Sequence, residues 1–148
     1  MEFVYDDGGR KNAGYVGLTG DCVCRAIAIA TQKPYQEVYD ELNLEIKSYS
    51  ARSARVKRSK SRSSSRNGVG PTFSHKYLQK LGWVWVPTVF FGVGCKIHLK
   101  DGEVPMGRLI VRLSKHLCAV IDGVVHDIYQ DDRGGTRCVY GYWHKPNL

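Results

Sequence analysis

The sequence predicts an α+β fold in which N-terminal helices pack on a C-terminal antiparallel sheet. Helical spacing of apolar residues is confined to the first 81 residues, whereas strand-like runs and a two-residue hairpin turn dominate from Trp83 onwards. A length of 148 residues fits one domain whose core is large enough to fold without disulfides. We therefore expect a single domain over residues 1–148.

The first two helices are predicted from their boundary residues and from apolar spacing. Asp21 is the predicted N-cap of the first helix, which ends near Gln32 because Pro34 disfavours helix at the residue before it. The second helix begins at Pro34 or Tyr35, since proline suits a first helical turn. The apolar residues at helical spacing are Val23, Ala26, Ile27 and Ala30 in the first helix, and Val38, Tyr39, Leu42 and Ile46 in the second.

The remaining elements are a third helix and a series of strands. The third helix is short and is predicted to run through Leu81, with Thr72 or Ser74 as its N-cap and Gly82 after its end. Residues 95–99 fit either a short helix or a loop. Asp122-Gly123 is a strong two-residue hairpin turn. Strand-like segments are predicted at 83–86, 88–91, 108–113, 116–121, 124–128 and 137–143.

Positive charge is concentrated in one segment. The chain has 22 Lys and Arg against 14 Asp and Glu, which gives a net charge of +8. Eight of the cations and no acidic residue lie between Lys47 and Arg66, so the rest of the chain is neutral, with 14 basic and 14 acidic residues. Because this stretch has little to bury, we expect a flexible Ser/Arg/Lys-rich insertion at about 47–70.

This basic segment is a candidate binding site. Its unopposed charges would give salt-dependent affinity for nucleic acid or for an acidic protein partner. Tyr49 is its only aromatic residue, so base stacking is not indicated. The candidate contact residues are Arg52, Arg55, Lys57, Arg58, Lys60, Arg62 and Arg66.

Composition and cysteine usage exclude several other classes of protein. No apolar run approaches the roughly 18 residues of a transmembrane helix, and the acidic N-terminus lacks the features of a signal peptide. We therefore expect a cytoplasmic protein with no membrane partner. The five cysteines are an odd number and are scattered, which predicts free thiols and not a disulfide framework.

The sequence does not indicate a metal centre or another cofactor. Cys22-Val23-Cys24 lacks the usual two-residue spacer of a zinc site, and the pair formed by Cys95 and His98 has no matching second pair. No glycine-rich phosphate-binding loop is present.

A cysteine at the predicted start of the first helix is the first candidate catalytic residue. If Asp21 is the N-cap, Cys22 occupies the first helical position and Cys24 the third, where the helix dipole and free backbone N–H groups favour a thiolate. The charge of Asp21 opposes this effect, so the cysteine needs a further activator, most naturally an imidazole. Cys24 remains an alternative, because the two thiols flank the apolar stripe on opposite sides.

The predicted hairpin supplies such an imidazole. A two-residue turn at Asp122-Gly123 pairs Ala119 with His126, and the alternation of side chains then places His116 and Asp127 on one face as diagonal neighbours. A carboxylate–imidazole hydrogen bond is within reach there. His126 falls on the opposite face among apolar residues, so we expect it to be structural.

These residues resemble a known family. The run Gly-Asp-Cys-Val-Cys-Arg-Ala-Ile-Ala at 20–28, followed by Pro34-Tyr35 and Glu-Val-Tyr at 37–39, looks like the opening of a family of small phage and bacterial proteins. The segment from His116 to Asp127 is similar to their second block and to the His-to-Asp region of bacteriocin-leader peptidases. The order Cys, His, Asp is that of papain-like cysteine peptidases. The resemblance implies a papain-like fold with Cys22 as nucleophile, His116 as base and Asp127 as the residue that orients the base.

The resemblance implies a small papain-like thiol hydrolase, most simply a peptidase. A phage-encoded protein of this kind would act on a host or viral protein in the host cytoplasm. An amidase, deamidase or isopeptidase would use the same residues. The position that usually carries a glutamine as oxyanion donor is Val16, so the second donor is open, with Asn12 and Thr19 as candidates. The alternative is a catalytically silent papain-like scaffold that binds nucleic acid or an acidic protein through residues 47–66.

Overall fold

The computed structural model describes residues 1–17, 19–52, 63–130 and 132–146. These residues form an α+β fold with three α-helices and a six-stranded mixed sheet. The helices are α1 (Cys22–Thr31), α2 (Tyr35–Arg52) and α3 (Pro71–Lys80). The strands are β1 (Glu2–Tyr5), β2 (Val84–Pro87), β3 (Arg108–Leu113), β4 (His116–Ile121), β5 (Val124–Asp127) and β6 (Gly141–His144).

The sheet has the order β1-β5-β4-β3-β6-β2, and one of its strands was not predicted. Strand β1 lies at the edge and runs parallel to β5, whereas all other neighbours are antiparallel. Short parallel pairing with a distant strand leaves no local sequence signal, which is why the sequence analysis missed it. Pairing of Tyr5 with Asp127 brings the start of the chain beside the candidate site.

The β4–β5 hairpin has the predicted register. Ile121 pairs with Val124 across the Asp122-Gly123 turn, and Ala119 pairs with His126. Both turn residues have positive φ, 49° at Asp122 and 81° at Gly123, as the tight turn requires. The ladder stops at Ala119–His126, so the strand end that carries Asp127 pairs with β1 instead of continuing along β4.

Each face of the sheet is covered by a separate hydrophobic core. The helices pack on one face, where Ile27, Leu42 and Leu78 are fully buried against Ala119 and Trp143. The loop from 88 to 107 covers the other face with Leu99 and Val104, which pack on Val111, Val120 and Val139. Strand β4 is therefore buried on both sides, and this explains its nearly continuous apolar sequence.

The predicted third helix is present as α3, but it begins earlier than either predicted N-cap. Its N-cap is Gly70 and Pro71 occupies the first turn, so neither Thr72 nor Ser74 is the cap. The Ser74 hydroxyl instead donates to the carbonyls of Gly70 and Pro71. Gly82 follows the helix with φ of +87°, as expected for a residue that ends a helix.

The strand predicted at 88–91 does not form, and the strand predicted at 137–143 begins only at Gly141. Residues 88–91 leave the sheet after Pro87, because Thr88 donates its backbone N–H to Tyr140 and its hydroxyl to Val139. Residues 137–140 precede β6 and pair with the loop at 97–99, through hydrogen bonds from Leu99 to Arg137 and from Val139 to Ile97. Residues 95–99 form a loop, one of the two alternatives left open.

The prediction of free thiols is wrong for two cysteines. Cys95 and Cys138 form a disulfide with a Cα–Cα distance of 5.9 Å. The bridge between His98 and Cys138 in the loop pairing brings the two cysteines side by side. The two cysteines are 43 residues apart in the sequence, and this separation does not indicate that they are in contact. Cys22, Cys24 and Cys118 are free.

Both ends of the segment predicted as a flexible insertion are folded. Helix α2 continues to Arg52, beyond the predicted start of the insertion. At the other end, Ser65 is fully buried, where its hydroxyl donates to the Tyr39 carbonyl and its backbone N–H donates to Asn43. No helix in the described ranges is long and apolar enough to span a membrane.

Candidate active site

Helix α1 begins at Cys22, and Asp21 is its N-cap, as predicted, but the Asp21 side chain does not cap the helix. The carboxylate is instead buried in a polar cluster. It accepts hydrogen bonds from the Tyr35 hydroxyl at 2.6 Å and the Thr19 hydroxyl at 2.9 Å, and it pairs with Arg25 and with Arg10 at 3.3 Å. Two guanidinium groups therefore balance the Asp21 charge that was expected to oppose a Cys22 thiolate.

The structure brings Cys22, His116 and Asp127 together. The Cys22 thiol is hydrogen-bonded to the His116 imidazole and faces the backbone N–H of Leu117. The other side of the imidazole is bound to Asp127, with 2.5 Å between Nε2 of His116 and Oδ2 of Asp127. This contact leaves Nδ1 of His116 for the thiol. Asp127 is 5% exposed, and its second oxygen accepts the backbone N–H of Ile128 at 2.7 Å.

The surroundings of the Cys22 thiol and the His116 imidazole shift the pKa values of both groups. Burial by itself would raise the pKa of Cys22, but hydrogen bonds from His116 and Leu117 outweigh burial and hold it below its ordinary value. Burial would likewise lower the pKa of His116, but the hydrogen bonds with Asp127 and Cys22 outweigh it and raise the pKa to about 9. A depressed thiol pKa beside a raised imidazole pKa favours the thiolate–imidazolium pair over the neutral pair.

The other free thiols have the opposite environment. Cys24 is fully buried in the helix-side core, and burial together with the charge of Asp21 raises its pKa to about 12. Burial likewise raises the pKa of Cys118, on the opposite face of the sheet. Of the two thiols at the start of α1, Cys22 is therefore the one that contacts His116, whereas Cys24 is buried in the core.

Arg25 is a site residue whose role sequence reasoning missed. Its guanidinium is 6% exposed and lies between two carboxylates, paired with Asp21 on its own helix and 3.7 Å from Oδ1 of Asp127 on β5. It therefore ties the start of α1 to the residue that holds His116. The available signal was the spacing of four between Asp21 and Arg25, which places the two side chains on one helix face.

His126 lies apart from this cluster. Its Nδ1 is 3.2 Å from Oδ2 of Asp6, and it is not hydrogen-bonded to Cys22 or Asp127. The predicted register of the hairpin was enough to place His116, and not His126, on the same face as Asp127. Asp6 was not foreseen as its partner, because strand β1 was not predicted.

Cys22 and His116 open into a cleft of about 430 Å³. One wall is the turn at 67–70, and the other contains Arg112, Lys115 and Leu117. The turn can approach the chain ahead of Cys22 because residue 20 is glycine: a Cβ atom there would lie 2.9 Å from the Asn67 carbonyl oxygen. The close packing of Gly20 on Asn67 thus builds one side of the cleft.

The two candidates for the second oxyanion donor do not line this cleft. Thr19 is committed to Asp21 through its hydroxyl, and Asn12 lies in an exposed turn. The backbone N–H of Cys22 remains available at the helix start, as at any first helical position. Within the described ranges, no group of three or more His, Cys, Asp or Glu side chains is arranged to hold a metal ion.

The residues of the predicted binding segment lie mostly outside the described part of the chain. This holds for Arg55, Lys57, Arg58, Lys60 and Arg62. Arg52 ends α2, and Arg66 is exposed in the turn that precedes the cleft wall. The prediction that residues 47–66 bind a partner therefore stays a prediction.

Comparisons with family models, with curated proteins and with solved structures found no match to this chain.

Proposed function

We propose that this chain is a papain-like thiol hydrolase, most simply a cysteine peptidase, with Cys22 as nucleophile, His116 as acid and base and Asp127 as the group that orients His116. One observation carries the proposal. Of the three free thiols, only Cys22 is hydrogen-bonded to an imidazole that a buried carboxylate holds on its other side. A nucleophile, a base and a residue orienting the base are the groups that acyl transfer requires.

The arrangement supports a two-step reaction. The Cys22 thiolate attacks the substrate carbonyl, and the His116 imidazolium protonates the leaving amine as the carbon–nitrogen bond breaks. His116 is then neutral and takes a proton from water, whose oxygen attacks the thioester and releases the acid. The thiolate and the imidazolium are restored. Asp127 keeps Nδ1 of His116 directed at the sulfur throughout.

The test is the pH dependence of Cys22 alkylation by iodoacetamide, with the modified cysteine identified by mass spectrometry. An ordinary thiol is less than about 1% ionised at pH 6. Because the pKa of Cys22 is lowered, we expect rapid alkylation there, while Cys24 and Cys118 stay unmodified. His116→Ala should slow the reaction at pH 6 by at least about tenfold, equivalent to one unit in the pKa of Cys22.

His126→Ala is the matched control, since it removes the other histidine of the same hairpin and should leave the pH profile unchanged. The wild-type profile should also change near pH 9, where the imidazolium that pairs with the thiolate loses its proton. Slow labelling of Cys22 at pH 6 that His116→Ala does not alter would overturn the proposal. The silent scaffold that binds through residues 47–66 would then be the better hypothesis.

A further inference from the structure

The cleft walls around Cys22 and His116 carry positive charge. Arg112 and Lys115 line the cleft that contains Cys22. A second, adjoining cleft shares Lys115 and His116 with the first and adds Arg133 and Arg137. Among the described residues that line the two clefts, none is an Asp or Glu. The acidic residues of the site, Asp21 and Asp127, are buried behind them.

The positive charge is available to a ligand. Arg112 and Lys115 have no carboxylate partner within the described part of the chain, and Lys115 is exposed at the turn between β3 and β4. Arg137 has a different role, because its guanidinium donates to the Ser114 carbonyl at 2.9 Å and so fixes this turn. A fixed turn places the Lys115 charge next to His116.

The backbone of this turn places Lys115 in a conformation that is unfavourable for a residue with a long side chain. Lys115 has φ of +57°, a region that favours glycine, asparagine or aspartate. Arg133 has φ of +52° and lines the same adjoining cleft. In the described ranges only four non-glycine residues have positive φ, and two of them are these cations. Long cationic side chains thus occupy two strained positions that glycine would satisfy at lower cost.

We propose that the cleft selects acidic substrates, namely protein segments with Asp or Glu next to the acyl group that Cys22 attacks. This inference rests on the proposed function, because it names the substrates of the same thiol. Arg112 and Lys115 receive these carboxylates on the wall of the cleft that contains Cys22. A nucleic acid has the same sign of charge but offers no peptide or thioester carbonyl to a thiolate.

A pair of reagents that differ only in charge tests this inference. Iodoacetate is an anion and iodoacetamide is its neutral counterpart, and both alkylate Cys22 with loss of iodide. We expect Cys22 to prefer iodoacetate, relative to the preference of free cysteine under the same conditions. Lys115→Gln and Arg112→Gln should each reduce that preference by about two- to fivefold, the size expected for one partly solvated charge. Raising the ionic strength from about 0.01 M to about 1 M should reduce it as well.

The variants separate charge from structure. Lys145→Gln removes an exposed lysine beside Gly82, outside both clefts, and should leave the preference unchanged. Lys115→Gly relieves the strained turn, so it should keep or raise the midpoint of thermal unfolding while it lowers the preference for iodoacetate. A structural role for Lys115 would not produce opposite changes in these two measurements.

The outcomes distinguish this inference from the proposed function. Rapid, His116-dependent alkylation by iodoacetamide with no preference for iodoacetate would leave the thiol hydrolase standing and overturn acidic selection. Slow alkylation by both reagents would overturn both. In a library of unstructured peptides, cleavage should occur at bonds next to Asp or Glu. Cleavage next to Lys or Arg would contradict the inference, and protection of Cys22 by an oligonucleotide in preference to a Glu-rich peptide of equal charge would do so too.

Discussion

Arg25 shows how much of the site depends on a single buried side chain. It pairs with Asp21 at the start of α1 and approaches Asp127 on β5, so one guanidinium balances two buried carboxylates. Asp127 in turn holds His116 at 2.5 Å. The positions of Cys22 and His116 are therefore fixed by buried charges that do not line the cleft. Arg25 is a positioning residue in this sense.

Substitution Arg25→Met should destabilise the protein and change the reactivity of Cys22. We expect a loss of about 3–5 kcal/mol in the free energy of unfolding, because two buried carboxylates lose a cation. The charge of Arg25 also helps to lower the pKa of Cys22, so alkylation should require a higher pH in the variant. Urea denaturation and the iodoacetamide pH profile are the two measurements.

Lys33→Met is the control for Arg25→Met. Lys33 is paired with Glu41 at 2.7 Å, but this pair is partly exposed, so its loss should cost less than about 1 kcal/mol. The Cys22 pH profile should not move. If Arg25→Met destabilises the protein no more than Lys33→Met does, the buried ion-pair cluster is not a determinant of stability.

At the scale of elements, predictions succeeded where the signal was local. Helix α1 followed from Asp21, from apolar spacing and from Pro34, and the β4–β5 hairpin followed from Asp122-Gly123. The register of that hairpin then placed His116 beside Asp127. Helix α3 was expected before Gly82, although its cap was misassigned. These features depend on residues a few positions apart, which is the range over which propensity and turn chemistry act.

Predictions failed where an element depends on a distant partner. Strand β1 forms by pairing with the edge of β5, where Glu2 lies beside Val124, 122 residues later in the chain. Residues 137–140 pair with the loop at 97–99 and not with the sheet, and the Cys95–Cys138 disulfide accompanies that pairing. Arg25 belongs to the same class, because its contact with Asp127 joins a helix to a strand. None of these contacts has a pattern that can be read within one window of sequence.

The packing of the turn at 67–70 on the chain before α1 yields a prediction at this scale. Gly20→Ala would place a methyl group 2.9 Å from the Asn67 backbone oxygen, and backbone moves less readily than a side chain. We expect a loss of about 1–3 kcal/mol in the free energy of unfolding, as for other overpacked sites. The shifted turn should also alter the alkylation rate of Cys22, since Gly20 and the turn line its cleft.

Gly94→Ala is the matched glycine substitution. A Cβ atom at Gly94 meets nothing within 4 Å, and Gly94 has no positive φ. Its replacement should therefore change the free energy of unfolding by less than about 0.5 kcal/mol, as at other unconstrained surface positions. Equal effects of Gly20→Ala and Gly94→Ala in urea denaturation would show that the close approach at Asn67 is not a constraint.

At the scale of the whole molecule, the two faces of the sheet have different roles. The helix face carries the start of α1 and so positions Cys22. The other face is covered by the loop from 88 to 107, which contains no regular helix or strand. Charge is distributed unevenly as well: the basic residues of 47–66 account for the whole net charge, yet the described cleft has cations of its own. The cleft therefore has a positive lining that does not depend on this segment.

The disulfide should stabilise the loop-covered face without taking part in the chemistry. It closes 43 residues of chain, for which loop-closure entropy predicts about 2–4 kcal/mol. We expect the double substitution Cys95→Ala with Cys138→Ala to lower the free energy of unfolding by that amount in urea denaturation. The pH profile of Cys22 alkylation should stay unchanged, because neither cysteine contacts Cys22, His116 or Asp127. Reductant should destabilise the wild type and leave the double variant unaffected. A double variant that loses stability on reduction as the wild type does would show that the disulfide is not the source of the effect.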